Sequence, residues 1–203
     1  MATTTPPRAA DLERTTGETS VRLRLLLDGS GESNASTGVG FFDHMLDLLA
    51  RHARLDLDVE ASGDLETGSH HTIEDVGIVL GRALDQALGD RVGVTRYGDA
   101  TIPMDEALAD CAIDLSGRPL LAWQGAIPAV TIGGFETELT EEFFRAVASN
   151  AKLTAHVRLL AGTNAHHMVE ACFKSFARAL RAAVAVDPAE ATAGAPADSG
   201  DHA

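Results

Sequence analysis

Two short strings in this sequence could hold a metal. His70-His71-Thr72-Ile73-Glu74 and His166-His167-Met168-Val169-Glu170 both read His-His-x-x-Glu. A helix turns about 100° per residue, so the glutamate lies at i, i+4 from the first histidine and i, i+3 from the second, on one face of a first turn. Adjacent histidines diverge by that same angle. One motif can therefore offer ligands to two ions, or to one ion and a neighbouring subunit. Four imidazoles and two carboxylates suit a divalent metal such as Mn, Fe, Co or Zn, whereas an all-oxygen set would point to Mg or Ca. A single histidine pair is ordinarily a solvated helix start, but two copies at matched positions are not. His44, in Phe-Phe-Asp-His-Met, is a further candidate ligand; taken alone it reads as a core histidine bonded to Asp43.

The elements that must position these groups repeat as well. Ile73, Val76, Leu80, Leu84 and Ala87 form an apolar stripe along a helix over 70–88, ended by Gly89. Val169, Cys172, Phe176, Leu180 and Ala183 form the matching stripe over 166–186. The helices superpose at an offset of 96 residues, His70 onto His166 and Arg82-Ala83-Leu84 onto Arg178-Ala179-Leu180. Each follows a Phe-Phe pair (Phe41-Phe42, Phe143-Phe144) and a strand-like stretch. Internal duplication is the simplest account. Alternating patterns predict strands over 21–27 and 55–61, with another over 111–115. The expected fold is α+β: two fused, duplicated β-sheet and helix half-domains over 14–98 and 99–186. The ends, 1–13 and 187–203, are rich in Ala, Thr, Pro, Gly and acid and are expected to be disordered.

Composition excludes other classes. Sixteen Lys and Arg against thirty Asp and Glu give a net charge of -14, the wrong sign for binding nucleic acid. No apolar run approaches the roughly 20 residues that span a bilayer, and no signal sequence is apparent; a soluble cytoplasmic protein is expected. Cys111 and Cys172 lack metal-ligand spacing and are expected to be buried thiols.

The strings TGVGFFDHMLDLLARH, HHTIEDVGIVLGRAL, PMDEALADCAIDLSGRP and HVRLLAGTNAHHMVEACFKSFARAL, in that order, resemble the imidazoleglycerol-phosphate dehydratase family over about residues 14–186. The resemblance implies half-domains of the ribosomal protein S5 domain 2 type, a 24-subunit homo-oligomer, and two Mn(II) per active site between subunits. It implies conversion of imidazole glycerol phosphate to imidazole acetol phosphate in histidine biosynthesis, with two metals holding the ring as an imidazolate so that elimination passes through a diazafulvene-like intermediate. Carried over, one metal set is His44, His71 and Glu74 with a neighbour's His166; the other is His167, Glu170 and His70 with one more ligand. Glu18 matches the acid/base glutamate, His52 a substrate-contacting histidine, and Arg96, Arg118 and Lys174 the phosphate-binding positions.

The sequence departs from that pattern in four places. Glu142 stands where the family usually has a metal-ligating histidine before the second Phe-Phe pair, as a replacement ligand or a solvated helix charge. Gly68-Ser69 replaces a pair of aspartates, Leu48 a glutamine, and the tail AEATAGAPADSGDHA a Ser-Lys segment that closes over phosphate. These departures suggest a divergent member. They leave two alternatives: a paralogue acting on a related azole polyol in secondary metabolism, or a metal-binding shell protein without activity.

Overall fold

The structure is a computed structural model that describes residues 6–187. Its first half runs β1 (Ala9–Thr15), β2 (Thr19–Leu26), β3 (Ser33–Ser36), α1 (Gly40–Ala53), β4 (Asp56–Gly63) and α2 (His70–Leu88). The second repeats the order: β5 (Tyr97–Met104), β6 (Ala107–Asp114), β7 (Leu120–Gln124), α3 (Leu139–Ala151), β10 (Thr154–Ala161) and α4 (Ala165–Ala183). A small hairpin, β8 (Thr131–Ile132) and β9 (Phe135–Glu136), is inserted before α3. The sheets have matching strand orders, β1-β2-β4-β3 and β5-β6-β10-β7. In each, the last pair is parallel and is joined by a crossover helix, α1 or α3, as a parallel pair requires.

Strand alternation decides which face is buried. Val21, Leu23 and Leu25 of β2 point inward while Ser20, Arg22 and Arg24 face out, and Ala107, Ala109, Cys111 and Ile113 of β6 do the same. All four helices lie against these inner faces and pair across the halves, α2 with α3 and α1 with α4. The α2–α3 approach is close because α2 has Gly77 and Gly81 there. A Cβ at Gly77 would lie 2.9 Å from the Ala146 Cβ, and one at Gly81 2.7 Å from that of Asn150. Phe42, Phe135, Phe143, Phe144, Phe173 and Phe176 fill the centre, fully buried and in contact ring to ring.

Both apolar stripes anticipated for the motif helices are buried throughout. Both cysteines are buried too, and burial pushes the Cys172 thiol up to about 12. The expected disordered start is corrected over residues 9–13, which pair with β2 from Ala9↔Leu26 to Glu13↔Arg22. Ladder hydrogen bonds along a neighbouring strand order this segment, and composition does not register them. The second sheet begins at Tyr97, ahead of the expected boundary at 99, and α4 ends at Ala183. Apart from Asp187, the segment 187–203 lies outside the described residues. The repeat offset is not constant. It is 88 residues at β2 and β6 (Thr19, Ala107) and 102 at the Phe-Phe pairs, because the β8–β9 hairpin is inserted between. Among the described residues no helix is long and apolar enough to cross a membrane.

Candidate active site

Both His-His-x-x-Glu motifs open helices, and the two helix starts are built differently. At α2, Gly68 (φ 124°) turns the chain and Ser69 precedes His70; the Ser69 hydroxyl donates to Glu136 on β9. His70 and His71 are exposed, and His70 Nε2 lies 3.8 Å from Glu74 Oε2. His71 Nδ1 meets the Asp64 carboxylate at 3.0 and 3.1 Å. That hydrogen bond raises the His71 pKa, helped by the Asp64 charge and more weakly by Glu18 and Asp75. Glu18, in the turn between β1 and β2, is thus close enough for its charge to be felt at the motif.

At α4, Asn164 caps the helix by accepting from the His166 backbone N–H at 2.9 Å. Glu170 is enclosed, with a side chain 7% exposed, against 46% for Glu74. Its oxygens meet Lys174 Nζ at 2.5 Å and His166 Nε2 at 3.2 Å. Burial alone would raise the Glu170 pKa, but these two partners hold it below the usual range. His167 Nδ1 lies 2.7 Å from Glu106 Oε2. Glu106 also accepts from the Thr163 and Asn164 backbone N–H groups, and with the His167 bond as the largest cause its pKa falls to about 2.

Glu18 and Glu106 occupy equivalent positions. The registers Thr15↔Ser20 and Pro103↔Leu108 match across the halves, which places Glu106 in the β5–β6 turn where Glu18 sits in the β1–β2 turn.

His44 is exposed, and Asp43 instead accepts from the Thr37 backbone and hydroxyl at 2.8 and 2.6 Å, so the reading of His44 as a core histidine on Asp43 is corrected. Its helix packs along α4, with the Phe41 ring 4.9 Å from that of His166. Within one chain, packing therefore sets the His44 helix beside the α4 motif. His52, further along α1, has a lowered pKa, first from burial and then from Lys174, Arg178 and Arg51. Glu142, in the first turn of α3, lies 3.8 Å from Arg145.

The three residues expected at phosphate do not all come together. Arg96, held at φ 72°, places Nε 2.7 Å from Asp114 Oδ1, and Arg118 Nη2 approaches Asp114 Oδ2 at 3.9 Å. Lys174 lies against Met104 Sδ at 3.4 Å, toward the other end of β5. The Arg96 backbone N–H donates to Ala183, nine residues further along α4 than Lys174, which separates the groups by about 13 Å of helix.

Sequence reading missed Asp64, Glu106, Asp75 and Asp114, the carboxylates behind the site. Glu106 is 61 residues from His167, so no local spacing reveals it. Asp64 supplies support at α2 that the loss of an Asp-Asp pair at Gly68-Ser69 had suggested was altered. The donor set suits a divalent transition metal. Yet among the described residues no three His, Cys, Asp or Glu side chains converge so as to hold one ion.

The family model for imidazoleglycerol-phosphate dehydratase matches residues 37–180. The imidazoleglycerol-phosphate dehydratase of Azorhizobium caulinodans is 60% identical over 184 residues, covering 91% of this chain and 93% of that one. That of Moorella thermoacetica is 57% identical over 183 residues, covering 90% and 93%. Among solved structures, the Staphylococcus aureus enzyme superposes with a TM-score of 0.80 at 43% identity, covering 88% of this chain and 99% of that one. The Pyrococcus furiosus enzyme, in complex with (S)-C348, gives 0.76 at 35% identity, covering 87% and 95%. Such identity over nine-tenths of the chain corrects the reading of a divergent member, and with it the paralogue and inactive-shell alternatives. The chain belongs to the imidazoleglycerol-phosphate dehydratase family, metal-dependent lyases of histidine biosynthesis that remove water from imidazole glycerol phosphate to give imidazole acetol phosphate.

Proposed function

We propose that the dehydration takes place at sites completed by a second copy of the chain, each holding two Mn(II) ions between an α2 motif and an α4 motif from different copies. One observation carries this. His71 and His167 are each fixed through Nδ1 by a carboxylate, which commits Nε2 as the ligating nitrogen, yet no three donors meet within one chain among the described residues. His70, His71, Glu74, His166, His167 and Glu170 are the principal ligands. His44 stands beside the α4 set, and Glu142 at the start of α3 is a further carboxylate donor. Closed assembly of such sites favours a homo-oligomer, 24 copies by family resemblance, and a small diffusible phosphorylated substrate fits a cytoplasmic enzyme.

When bound, the metals hold the imidazole ring and stabilise negative charge on it. The chain's own groups do the rest. Glu18 takes the unacidic carbon-bound proton and passes it to the hydroxyl leaving the neighbouring carbon, so that the two depart as one water and the carboxylate is regenerated, and the resulting enol tautomerises to the ketone. Arg96 and Arg118, gathered around Asp114, bind phosphate through guanidinium forks. Lys174 comes to phosphate from another copy, since in its own chain it lies well along α4 from Arg96. His52, kept neutral by burial and the surrounding cations, can accept a substrate hydrogen bond.

The test combines three measurements on chelator-stripped protein: subunit mass by light scattering, Mn(II) bound per chain, and turnover of imidazole glycerol phosphate. Mn(II) should restore turnover with two equivalents per chain in an oligomer. A metal-loaded, active monomer would sink the shared site.

A further inference from the structure

The α2 end holds one buried charge that neither metal binding nor phosphate binding uses. Asp75 follows Glu74 but points the other way, into the protein, and is 6% exposed. Its carboxylate accepts from the Thr19 hydroxyl and from Arg14 Nη1. Both donors come from the β1–β2 hairpin, one on each side of the turn that carries Glu18. The turn is also tied internally: Thr16 Oγ1 accepts from the backbone N–H groups of Glu18 at 3.2 Å and Thr19 at 3.0 Å. Beneath it Gly63 leaves no room, since a Cβ there would lie 2.3 Å from Thr72 Oγ1 and 3.1 Å from Thr19 Cγ2. The turn therefore packs through Gly63 against the first turn of α2.

The second half shows what this arrangement replaces. Glu106, in the equivalent turn, is held by His167 and by the Thr163 and Asn164 backbone, and the residues matching Thr19 and Asp75 are Ala107 and Ala171. Among the described residues Glu18 has no such anchorage, because Asp64 occupies His71 Nδ1. A carboxylate that must reach a substrate cannot be fixed by its own oxygens; it has to be fixed through its backbone. We propose that Asp75 is a positioning residue which, through Thr19 and Arg14, sets the β1–β2 turn so that Glu18 stands over the metal-binding end of α2. This rests on the reading of Glu18 as the acid/base group.

The experiment is a cycle on the holoenzyme with Thr19→Val, Asp75→Asn, Glu18→Gln and the double variant of Thr19 and Glu18, reading kcat, KM and the affinity for Mn(II) alone. Thr19→Val keeps the side-chain shape and removes one bond to Asp75. It should lower kcat about tenfold or more with KM and Mn(II) affinity unchanged, because small misplacements of a reacting group are costly. Asp75→Asn should do the same, and Thr19→Ser should restore the rate. In the Glu18→Gln background Thr19→Val should cost nothing further, since both act on one step. Full kcat in both Thr19→Val and Asp75→Asn, with Glu18→Gln inactive, would overturn the positioning role and leave the Glu18 reading intact. A fully active Glu18→Gln would remove that reading and the proposal with it. An equal loss from Thr19→Val in both backgrounds, or a loss that tracks Mn(II) affinity, would also overturn it.

Discussion

Glu18 and Glu106 stand at the same place in the two halves, in the turn between the first two strands, and are held in opposite ways. Glu106 is spent on structure: it receives His167 at 2.7 Å and the Asn164 backbone at 2.7 Å. Glu18 is exposed, while Asp64, in the connection before α2, takes the partner histidine. The difference shows how a duplicated unit can divide labour. With Asp64 supporting His71, the turn glutamate is not needed there, which suits the acid/base role proposed for Glu18. The strongest way to break this comparison is Glu18→Gln. It should lower kcat about a thousandfold, the usual scale of acid/base catalysis, while Mn(II) binding and melting temperature stay unchanged. Retained turnover would mean that the two glutamates do not differ in role.

The halves also differ in how closely the motif helix sits on its sheet. A Cβ at Gly98 on β5 would lie 2.1 Å from the Ala179 carbonyl oxygen and 2.6 Å from the Ala183 nitrogen of α4, both backbone atoms. The equivalent position on β1 is Ala10, which fits its Cβ under α2. Gly98→Ala should therefore destabilise the protein by about 3 kcal/mol, at the upper end of overpacking effects. Ala10→Gly, which creates no clash, should cost about 1 kcal/mol or less. Denaturant unfolding measures both, and similar losses at the two positions would show that the seating is alike.

Much of this arrangement is legible in the sequence, and what is not has a physical reason. The motif helices are readable because Ile73, Val76 and Leu80, and likewise Val169, Cys172 and Phe176, carry a 3.6-residue apolar period that burial preserves. The strand β1 is not readable: its burial alternates only weakly, and it is ordered by pairing with β2. Of helices α1 and α3, only the Phe-Phe pairs stand out in the sequence. The candidate metal donors of the two His-His-x-x-Glu motifs are legible because each set clusters within five residues. Asp64 and Glu106 are not, because the carboxylate that orients a histidine is chosen by tertiary proximity, and a turn glutamate looks like any solvated charge.

The two motif glutamates give the next contrast. Glu170 is clamped by Lys174, itself 18% exposed, whereas Ile78 occupies the equivalent position one turn after Glu74. Lys174→Met leaves Glu170 enclosed with His166 as its remaining partner among the described residues, and should cost about 2 kcal/mol in the metal-free protein because one member of a largely buried pair is lost. Glu74→Gln, at the exposed end, should change stability by less than about 0.5 kcal/mol. Thermal unfolding of chelator-treated protein separates the two, and equal shifts would contradict the difference in enclosure.

Glu106→Gln gives the smallest effect and the sharpest reading of support against chemistry. If Glu106 orients His167 for metal, its loss should weaken Mn(II) binding about tenfold at pH 8, at the lower end for carboxylates behind metal-bound histidines. Glu106 raises the His167 pKa above its ordinary value of about 6.5, and a protonated imidazole cannot ligate, so Mn(II) affinity falls as pH drops through that raised value. In the variant the His167 pKa returns toward the ordinary range, protons compete less, and the two binding curves should approach each other on the acid side. The stability Glu106 adds through Thr163 and Asn164 behaves separately. Its pKa is depressed, so that contribution is present above about 4.3 and is lost as pH falls toward about 2. Isothermal titration with Mn(II) from pH 6 to 8 resolves the two roles. Parallel curves with no offset would mean that Glu106 only braces the start of α4, and that the division of labour between the turn glutamates lies in Glu18 alone.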